Sequence, residues 1–133
     1  MKISKQNKIV TVRPKETVLT RQQLQYFVGI SEKTAGSTGL CMHMIVIPPG
    51  GAAAPHIHDG YETAIYVIKG RAETRYGERL AESVVNEAGD FIFIPANVPH
   101  QPINISDTDE VIAIVARNDP NEQEKVIPYE MKS

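Results

Sequence analysis

The chain has 133 residues, and its 14 basic and 16 acidic side chains leave a net charge of −2. That length suits one domain with a sizeable apolar core, and the sequence lacks the basic clusters of a nucleic-acid-binding surface. The single cysteine excludes an internal disulfide, and the first ten residues lack the apolar stretch of a signal peptide, so we expect a cytoplasmic protein. The apolar runs are too short to span a bilayer.

Short apolar segments follow one another along the chain, and each is bounded by Gly, Pro, Asn or Asp. They are rich in Val, Ile, Phe, Tyr and Thr, a composition typical of β-strands separated by turns. The predicted strands cover residues 25–30, 40–47, 63–68, 73–76, 83–85, 91–94 and 111–116. Helical periodicity is scarce along the chain. The pattern therefore predicts an all-β fold, either an antiparallel barrel or a sandwich.

The segment PHIHDGYE, residues 55–62, holds two of the four histidines. His56 and His58 are two apart, so in a strand they project from the same face. Neutral imidazole nitrogens suit Zn, Cu, Fe or Ni, and a carboxylate would add an anionic oxygen ligand. The turn residues Asp59 and Gly60 would let Glu62 approach the same point. The alternative is that both histidines flank a surface loop and that Glu62 is a solvated charge.

A second segment, residues 87–104, contains a third histidine in a pattern of turn, strand and turn. A turn at Gly89 would begin a strand, the prolines between 95 and 99 would reverse it, and His100 would open the return strand. Asn97 falls in the bend, where we expect a left-handed backbone because asparagine enters that region more readily than most residues. The third histidine favours a shared site over two loop histidines.

Together, the two segments resemble the two motifs of the cupin superfamily. The first motif is Gly, five residues, His-x-His, three or four residues, Glu, six residues, Gly; the second is Gly, five residues, Pro-x-Gly, two residues, His, three residues, Asn. The matching residues are Gly50, His56, His58 and Glu62 for the first motif, and Gly89, Pro95, His100 and Asn104 for the second. The resemblance covers residues 40–116.

This resemblance implies a small antiparallel barrel of jelly-roll topology, also called a double-stranded β-helix, with a metal inside near one mouth. The implied metal ligands are His56, His58, Glu62 and His100. Three imidazoles and one carboxylate accept Fe, Mn, Ni, Zn, Cu or Co and would leave about two open positions on a six-coordinate ion. We expect residues 1–133 to form one domain, with N-terminal strands within 8–31, a core barrel at 40–116 and an extension at 117–133.

The chain departs from the family pattern at two positions. Asn97 replaces a glycine, which the tolerance of asparagine for a left-handed backbone accommodates. Seven residues rather than six separate Glu62 from Gly70, so counting back from Gly70 puts Thr63 in the glutamate position. A slip of one residue would turn Glu62 to the other face of its strand. A β-bulge between 62 and 70 would absorb the extra residue, and we expect one because threonine is a poor ligand.

Several other side chains are candidates for the interior of the barrel. His43 lies in the predicted strand 40–47 and would line the cavity as an acid or base, or else serve packing as a hydrogen-bonded residue. Tyr66 and Gln101 are further candidates for catalysis. Phe91 and Phe93 are candidates for the cavity wall.

The arginines within and after the predicted strands raise a question about substrate charge. An inward Arg117, Arg71 or Arg75 would hold an anionic substrate through paired hydrogen bonds, whereas the alternative for each is an exposed charge. Cys41 is predicted to be a small buried apolar residue, because nothing nearby in the sequence would activate its thiol.

The leading functional hypothesis is a metal-dependent cupin that binds or converts a small polar organic molecule, as an oxygenase or an isomerase. The competing hypothesis is a non-catalytic module that binds or senses a small ligand, because one fold supports many functions. We expect a homodimer without nucleic-acid or membrane partners, with residues 8–12 or 25–30 in a sheet shared between subunits. The C-terminal segment VIPYE is expected to pair with a neighbouring strand or with the other subunit.

Overall fold

The computed structural model describes residues 7–13, 17–19, 25–121 and 125–130. Regular structure within these residues is almost entirely β, which confirms the predicted all-β class. The elements in chain order are β1 (Thr17–Leu19), β2 (Gln25–Ile30), a single helical turn α1 (Glu32–Ala35), β3 (Cys41–Ile47), β4 (His56–His58), β5 (Thr63–Lys69), β6 (Arg71–Tyr76), β7 (Glu82–Glu87), β8 (Phe91–Ile94), β9 (His100–Asn104), β10 (Val111–Arg117) and β11 (Val126–Pro128). A 3-10 turn at Glu78–Leu80 joins β6 to β7.

The strands form two antiparallel sheets. One sheet has the order β1-β2-β3-β10-β5-β8, and the other has the order β11-β4-β9-β6-β7. Apart from β1-β2, β2-β3 and β6-β7, neighbouring strands in each sheet are not consecutive in sequence, as in a jelly roll. The C-terminal strand β11 pairs with β4 along its whole length, which confirms the prediction that this segment joins a neighbouring strand.

Two turn positions show why the chain reverses where it does. Asn97 has a φ of 66°, so the predicted left-handed asparagine between β8 and β9 is confirmed. Gly70 links β5 to β6 with a φ of 90°. A Cβ at this glycine would lie 2.6 Å from the carbonyl oxygen of Glu110, so neither the backbone angle nor the available space admits another residue.

The apolar core occupies one end of the space between the sheets. Side chains alternate along β3, and the inward ones at Ile45 and Ile47 are buried. The core residues are Ile45, Ile47, Ala53, Ala72, Val111, Ala113 and Val115. Each fully buried valine or isoleucine stabilises the fold by roughly 1.5–3 kcal/mol relative to an exposed one, so the core can hold the sheets together without help from the polar end.

At the other end of the same strands, polar residues occupy the inward positions. Val111 lies opposite Ile47, but farther along these strands Arg117 lies opposite Cys41. On its other side, Arg117 lies opposite Thr63 of β5. The interior therefore changes from apolar to polar along the strands, and the polar end is where the histidines gather.

The N-terminal strands were predicted within residues 8–31, and the structure has a strand at 25–30 but none at 8–12. Strand β2 is hydrogen-bonded to β3 on one side and, over Gln25–Phe27, to β1 on the other. That stretch therefore has no open edge to offer a second subunit. In the described part of the chain, no helix is long and apolar enough to cross a membrane.

Candidate metal centre

Three histidines converge at the polar end of the interior. His56, His58 and His100 are between 2% and 4% exposed. Their ring centroids lie 4.3 Å apart for His56 and His100, 4.5 Å for His58 and His100, and 5.0 Å for His56 and His58. One nitrogen from each ring lies within 4.8 Å of the corresponding nitrogens of the other two. The structure thus brings together three of the four ligands predicted from the sequence.

Strand pairing explains this convergence. His56 and His58 flank Ile57 in β4, and both are buried while Ile57 is not. His56 lies directly opposite His100 of the neighbouring strand β9, and side chains opposite each other in an antiparallel pair share a face. The two sequence segments therefore meet because β4 and β9 are neighbours, although His56 and His100 are 44 positions apart along the chain.

The outer nitrogens of the rings are held by oxygen acceptors. Nδ1 of His56 lies 2.6 Å from the carbonyl oxygen of Ala54, and Nδ1 of His100 lies 2.9 Å from that of Val98. Because a carbonyl oxygen only accepts, Nδ1 carries the proton in both rings, and a neutral ring then has its lone pair on Nε2. This is the tautomer in which metal-binding histidines are commonly held.

His58 has a side-chain partner in the same role. Its Nδ1 lies 2.9 Å from the hydroxyl oxygen of Thr63, which is 2% exposed. A hydroxyl oxygen can accept a hydrogen bond from Nδ1, as a carbonyl oxygen does, so Thr63 can hold the third ring in the same tautomer. Thr63 is thus a positioning residue for a ligand rather than a ligand itself.

The chemistry of this donor set fits a transition metal. Neutral imidazoles with hydrogen-bonded outer nitrogens are the usual nitrogen ligands of Zn, Cu, Fe and Ni. Zinc–nitrogen bonds are about 2.0–2.1 Å long, so two nitrogens on one tetrahedral ion lie about 3.4 Å apart. Small rotations of the three rings would close the present spacing to that value.

Glu62, the predicted fourth ligand, lies outside this group. Its side chain is exposed, and its backbone N–H donates to Oδ1 of Asn118 at 2.8 Å. The inward positions of β5 include Thr63 and Val67, both 2% exposed. Because side chains alternate along a strand, the residue before Thr63 points away from the interior.

The expected irregularity in β5 exists but lies too far along the strand to turn Glu62 inward. Val67 pairs with Ala113 and Lys69 pairs with Ile112, so Ile68 is the extra residue of a bulge. Pairing is regular from Thr63 to Val67. The bulge therefore leaves the direction of Glu62 unchanged and keeps Thr63 beside His58.

His43 belongs to a second buried group next to the three histidines. It is 2% exposed, and Nη1 of Arg117 lies 3.1 Å from its Nδ1, while Sγ of Cys41 lies 3.7 Å from the same nitrogen. Nη1 of Arg117 also lies 3.2 Å from Nε2 of His43, and because a guanidinium only donates, the ring nitrogen that accepts from it is unprotonated. Arg117 is inward and 3% exposed, whereas Arg71 and Arg75 have exposed side chains. Cys41 is fully buried, as predicted.

Tyr61 was not singled out from the sequence, yet it contacts a candidate ligand. Its ring is 3% exposed and stacks on His58, with centroids 5.0 Å apart and an angle of 15° between planes. The guanidinium carbon of Arg117 lies 6.0 Å from the Tyr61 centroid. The sequence did contain one indication of this contact, because Tyr61 is an aromatic residue directly after the Asp59-Gly60 turn that follows His58.

The remaining sequence candidates point elsewhere. Tyr66 lies on the outside of its sheet, where it is 39% exposed and its ring contacts Phe91 at 4.8 Å. Phe91 is 83% exposed and lies outside the barrel, whereas Phe93, although 60% exposed, borders the cavity beside His100. Gln101 follows His100 and faces away from it, and its Nε2 donates to the carbonyl oxygen of Ala53 at 3.0 Å.

A cavity opens beside His100, between the edge strands β7 and β8 of the two sheets. Its volume is about 260 Å³. His100 forms part of its wall. The lining residues are Thr74, Tyr76, Val84, Ile92, Phe93, Ile94, Pro95, Val98 and His100. A molecule in this cavity would therefore lie against one of the candidate ligands.

Solved structures with the same fold include several enzymes. An oxalate decarboxylase from Lactobacillus farciminis, in a formate complex, superposes with a TM-score of 0.70 and 20% identity over 85% of this chain and 33% of that one. The polyketide cyclase RemF from Streptomyces resistomycificus gives 0.71 and 18% over 95% of this chain and 87% of that one. A recombinant oxalate oxidase in complex with glycolate gives 0.66 and 24%, over 81% and 56% of the two chains.

These likenesses establish the fold alone, and the chain spans only about one third of the length of the oxalate decarboxylase. A comparison with curated proteins gave no match. Residues 43–116, more than half of the chain, match the family described as the cupin domain. The histidines of both sequence motifs lie inside that match. The chain therefore belongs to the cupin domain family.

Proposed function

We propose that His56, His58 and His100 hold one divalent transition metal and that a small organic molecule binds to this metal inside the barrel. The observation that supports this most strongly is the convergence of three buried imidazoles, together with the oxygen acceptor beside each Nδ1. A packing role alone would not require three imidazoles to share one point and one tautomer.

The donor set favours some metals over others. Carboxylate and water oxygens are the ligands that suit manganese, whereas imidazole suits Zn, Cu, Fe and Ni. With Glu62 outside the group, the proposed set has three nitrogens and no anionic oxygen, so we place Fe, Zn, Cu, Ni and Co ahead of Mn. Such an ion would supply a Lewis acid for a bound carbonyl or hydroxyl, or a centre for dioxygen chemistry.

The residues around the site bear on the class of reaction. An isomerase that moves a proton needs an acid or base within hydrogen-bonding reach of its substrate. Among the described residues that line the cavity, Tyr76 and His100 are the two whose side chains could serve as an acid or a base. His100 is already a proposed ligand. This shortage of acid and base groups favours an oxygenase over an isomerase.

The same cavity supports a second candidate function. Its walls are mostly apolar, as expected for a module that binds a ligand without converting it. The two functions differ in turnover. An oxygenase loaded with iron would consume dioxygen when its substrate enters the cavity, whereas a binding module would take up the same molecule with no change in dioxygen concentration.

The decisive experiment for the metal is elemental analysis of protein purified from metal-replete medium. We expect close to one equivalent of a transition metal in the wild-type chain and little in His58→Ala. A wild-type content below about 0.1 equivalent after reconstitution would remove the proposal, since structural and catalytic sites of this type bind tightly. An oxygen electrode, with the iron-loaded protein and small ring compounds, then separates the two candidate functions.

We further propose a homodimer formed through the outer face of the larger sheet. Pairing places apolar side chains in a row across this face: Phe91 lies beside Tyr66, Tyr66 beside Ile114, and Ile114 beside Met44. A second row contains Phe93, Ala64, Ala116 and Met42. Neither row contains a charged residue.

The exposed apolar side chains of this outer face provide about half of the area that a standard dimer interface buries on each partner. Phe91, Phe93, Met42 and Tyr66 are 83%, 60%, 45% and 39% exposed. Since an aromatic side chain offers about 150–250 Å², these four contribute roughly 400–500 Å², near the upper end for the largest apolar patch of a monomer. A second copy packed face to face would cover these four side chains, and the remainder of the ~800 Å² per partner of a standard interface would have to come from the residues around them.

A further inference from the structure

The cavity between β7 and β8 is built from inward positions of four strands. Thr74 of β6 lies opposite Val84 of β7, and Tyr76 of β6 lies opposite His100 of β9. From the other sheet, Ile94 lies opposite the buried Thr63. These side chains share the face of His100, so the cavity is part of the barrel interior and not a surface groove.

The mouth of the cavity lies between the two sheet edges. Val84 points inward but remains 42% exposed, because β7 and β8 are the edge strands of different sheets and no strand among the described residues joins them. Val85, the next residue of β7, is 45% exposed on the opposite face of the strand. The two valines are thus matched in size and exposure but differ in whether they face the cavity.

The walls have a distinct chemical character. Six of the nine lining residues are apolar: Val84, Ile92, Phe93, Ile94, Pro95 and Val98. Thr74 and Tyr76 contribute hydroxyl groups, and His100 contributes its imidazole. Within the described residues, no Asp, Glu, Lys or Arg lines this cavity. The buried Arg117 lies with His43 and Tyr61 and is not part of the wall.

This composition discriminates between ligands by charge. A charged group that leaves water for an apolar wall loses its hydration and gains no partner there. Only the end of a ligand that meets the histidines and their metal would find a compensating charge. A molecule with a second charge at its far end is therefore disfavoured, whereas an apolar far end gains from burial.

The volume limits the size of the ligand. A dry apolar cavity of about 150 Å³ holds benzene, so a cavity of about 260 Å³ accommodates one ring with small substituents. The Thr74 and Tyr76 hydroxyls can each exchange a hydrogen bond with an oxygen on such a ring.

We infer that this cavity takes a one-ring molecule with an apolar body, which presents a single oxygen-bearing group to the three histidines and has no second charge. The inference deepens the proposed function, since the metal is what would bind that group. The apolar walls exist without the metal, so the selectivity for an apolar far end is expected in the metal-free protein as well.

The test compares p-cresol with 4-hydroxybenzoate, which have the same phenol group and differ at the far end in a methyl group or a carboxylate. Binding is measured by NMR of ¹³C-labelled methyl groups of Ile92, Ile94 and Val84, at pH 8, in metal-free and in zinc-loaded protein. We expect p-cresol to shift these methyl signals in both forms and to bind the metal-free protein at least tenfold more tightly than 4-hydroxybenzoate.

Two matched variants locate the site. Val84→Phe should fill the cavity and weaken p-cresol binding at least tenfold, whereas Val85→Phe should leave it within twofold of wild type. Equal or tighter binding of 4-hydroxybenzoate to the metal-free protein, equal effects of the two variants, or no p-cresol binding would each overturn the inference. If p-cresol binds as expected while the protein takes up no metal, the proposed function fails and the inferred selectivity of the cavity stands.

Discussion

His56 and His100 lie directly opposite each other on neighbouring strands, and their ring centroids are 4.3 Å apart. The backbone ladder alone sets this proximity, since each residue is fixed by the register of its strand. A third ring from His58 completes the group. The proposed metal binding thus depends on strand register more than on any flexible loop.

Removing one of these rings should abolish metal binding without unfolding the barrel. His100→Ala is expected to lower metal affinity by at least about 100-fold, because loss of a direct ligand costs more than the 10–100-fold typical of an outer hydrogen-bond partner. The core of Ile, Val and Ala residues lies at the other end of the interior, so far-ultraviolet circular dichroism should remain β-type. Gln101→Ala, which changes a neighbour facing away from the site, is the control and should keep its metal.

Thr63 and Glu62 give a sharper test, since they are adjacent and face opposite ways. Thr63→Val removes the hydroxyl beside Nδ1 of His58 and keeps the side-chain volume, so metal affinity should fall about 10–100-fold. Thr63→Ser should retain most of that affinity, and Glu62→Gln should match wild type. Titration with a chelator competitor measures all three. Loss of affinity in Glu62→Gln but not in Thr63→Val would restore the glutamate as a ligand.

Metal should stabilise the folded protein by mass action. At a free metal concentration 100 times the dissociation constant, the gain is about 2.7 kcal/mol, which corresponds to a rise in Tm of about 9 °C for a domain of this size. Differential scanning fluorimetry with and without zinc checks this. His58→Ala serves as the control and should show no comparable rise, and an equal rise in both proteins would mean that zinc binds elsewhere.

Asn104 should matter for stability and not for metal binding. It is 2% exposed, and its Nδ2 lies 2.8–3.1 Å from the carbonyl oxygens of Ile47, Pro48 and Asp109. Asn104→Ala leaves these buried acceptors without their donor, at a cost of about 2–4 kcal/mol in the free energy of unfolding. Urea denaturation measures the change. A loss below about 0.5 kcal/mol would show that water replaces the amide.

The proposed dimer predicts a charge-sensitive association. Phe91→Asp would put a carboxylate into the outer apolar face, so light scattering at micromolar concentration should find a monomer, because an unpaired buried charge is strongly unfavourable. Val85→Asp changes an exposed valine of the other sheet and should leave the dimer intact. A wild-type monomer under these conditions would contradict the proposal.

Local sequence pattern was enough to predict most strands and the three histidines. The segment 91–94 is a strand with the predicted bounds, because Gly89-Asp90 and Pro95 delimit it. The pair His56 and His58 shares a face because strand periodicity is a local property. Strand β1, with three residues, was too short to produce a periodic signal.

The direction of the Glu62 side chain could not be predicted from the neighbouring residues, because it depends on strand pairing. Thr63 is inward because it pairs with Ile94 on one side and Arg117 on the other, and both partners are distant in sequence. The segment FIFI carries apolar residues on both faces, so it contains no alternation to show that Phe91 and Phe93 point outward. Strand register depends on how the sheets assemble, and so does the question of which sheet face is covered. Neither can be predicted from a short stretch of sequence.

The pairing of β11 with β4 determines when, during synthesis, β4 can gain its neighbouring strands. β4 pairs with β9 at one position and with β11 at three, so the strand that carries two of the histidines receives most of its ladder partners from the last strand of the chain. Synthesis proceeds from the N-terminus, and His56 and His58 emerge from the ribosome long before Val126. A nascent chain can therefore display its histidines, but their strand gains its full ladder only after residues 126–128 have been synthesised.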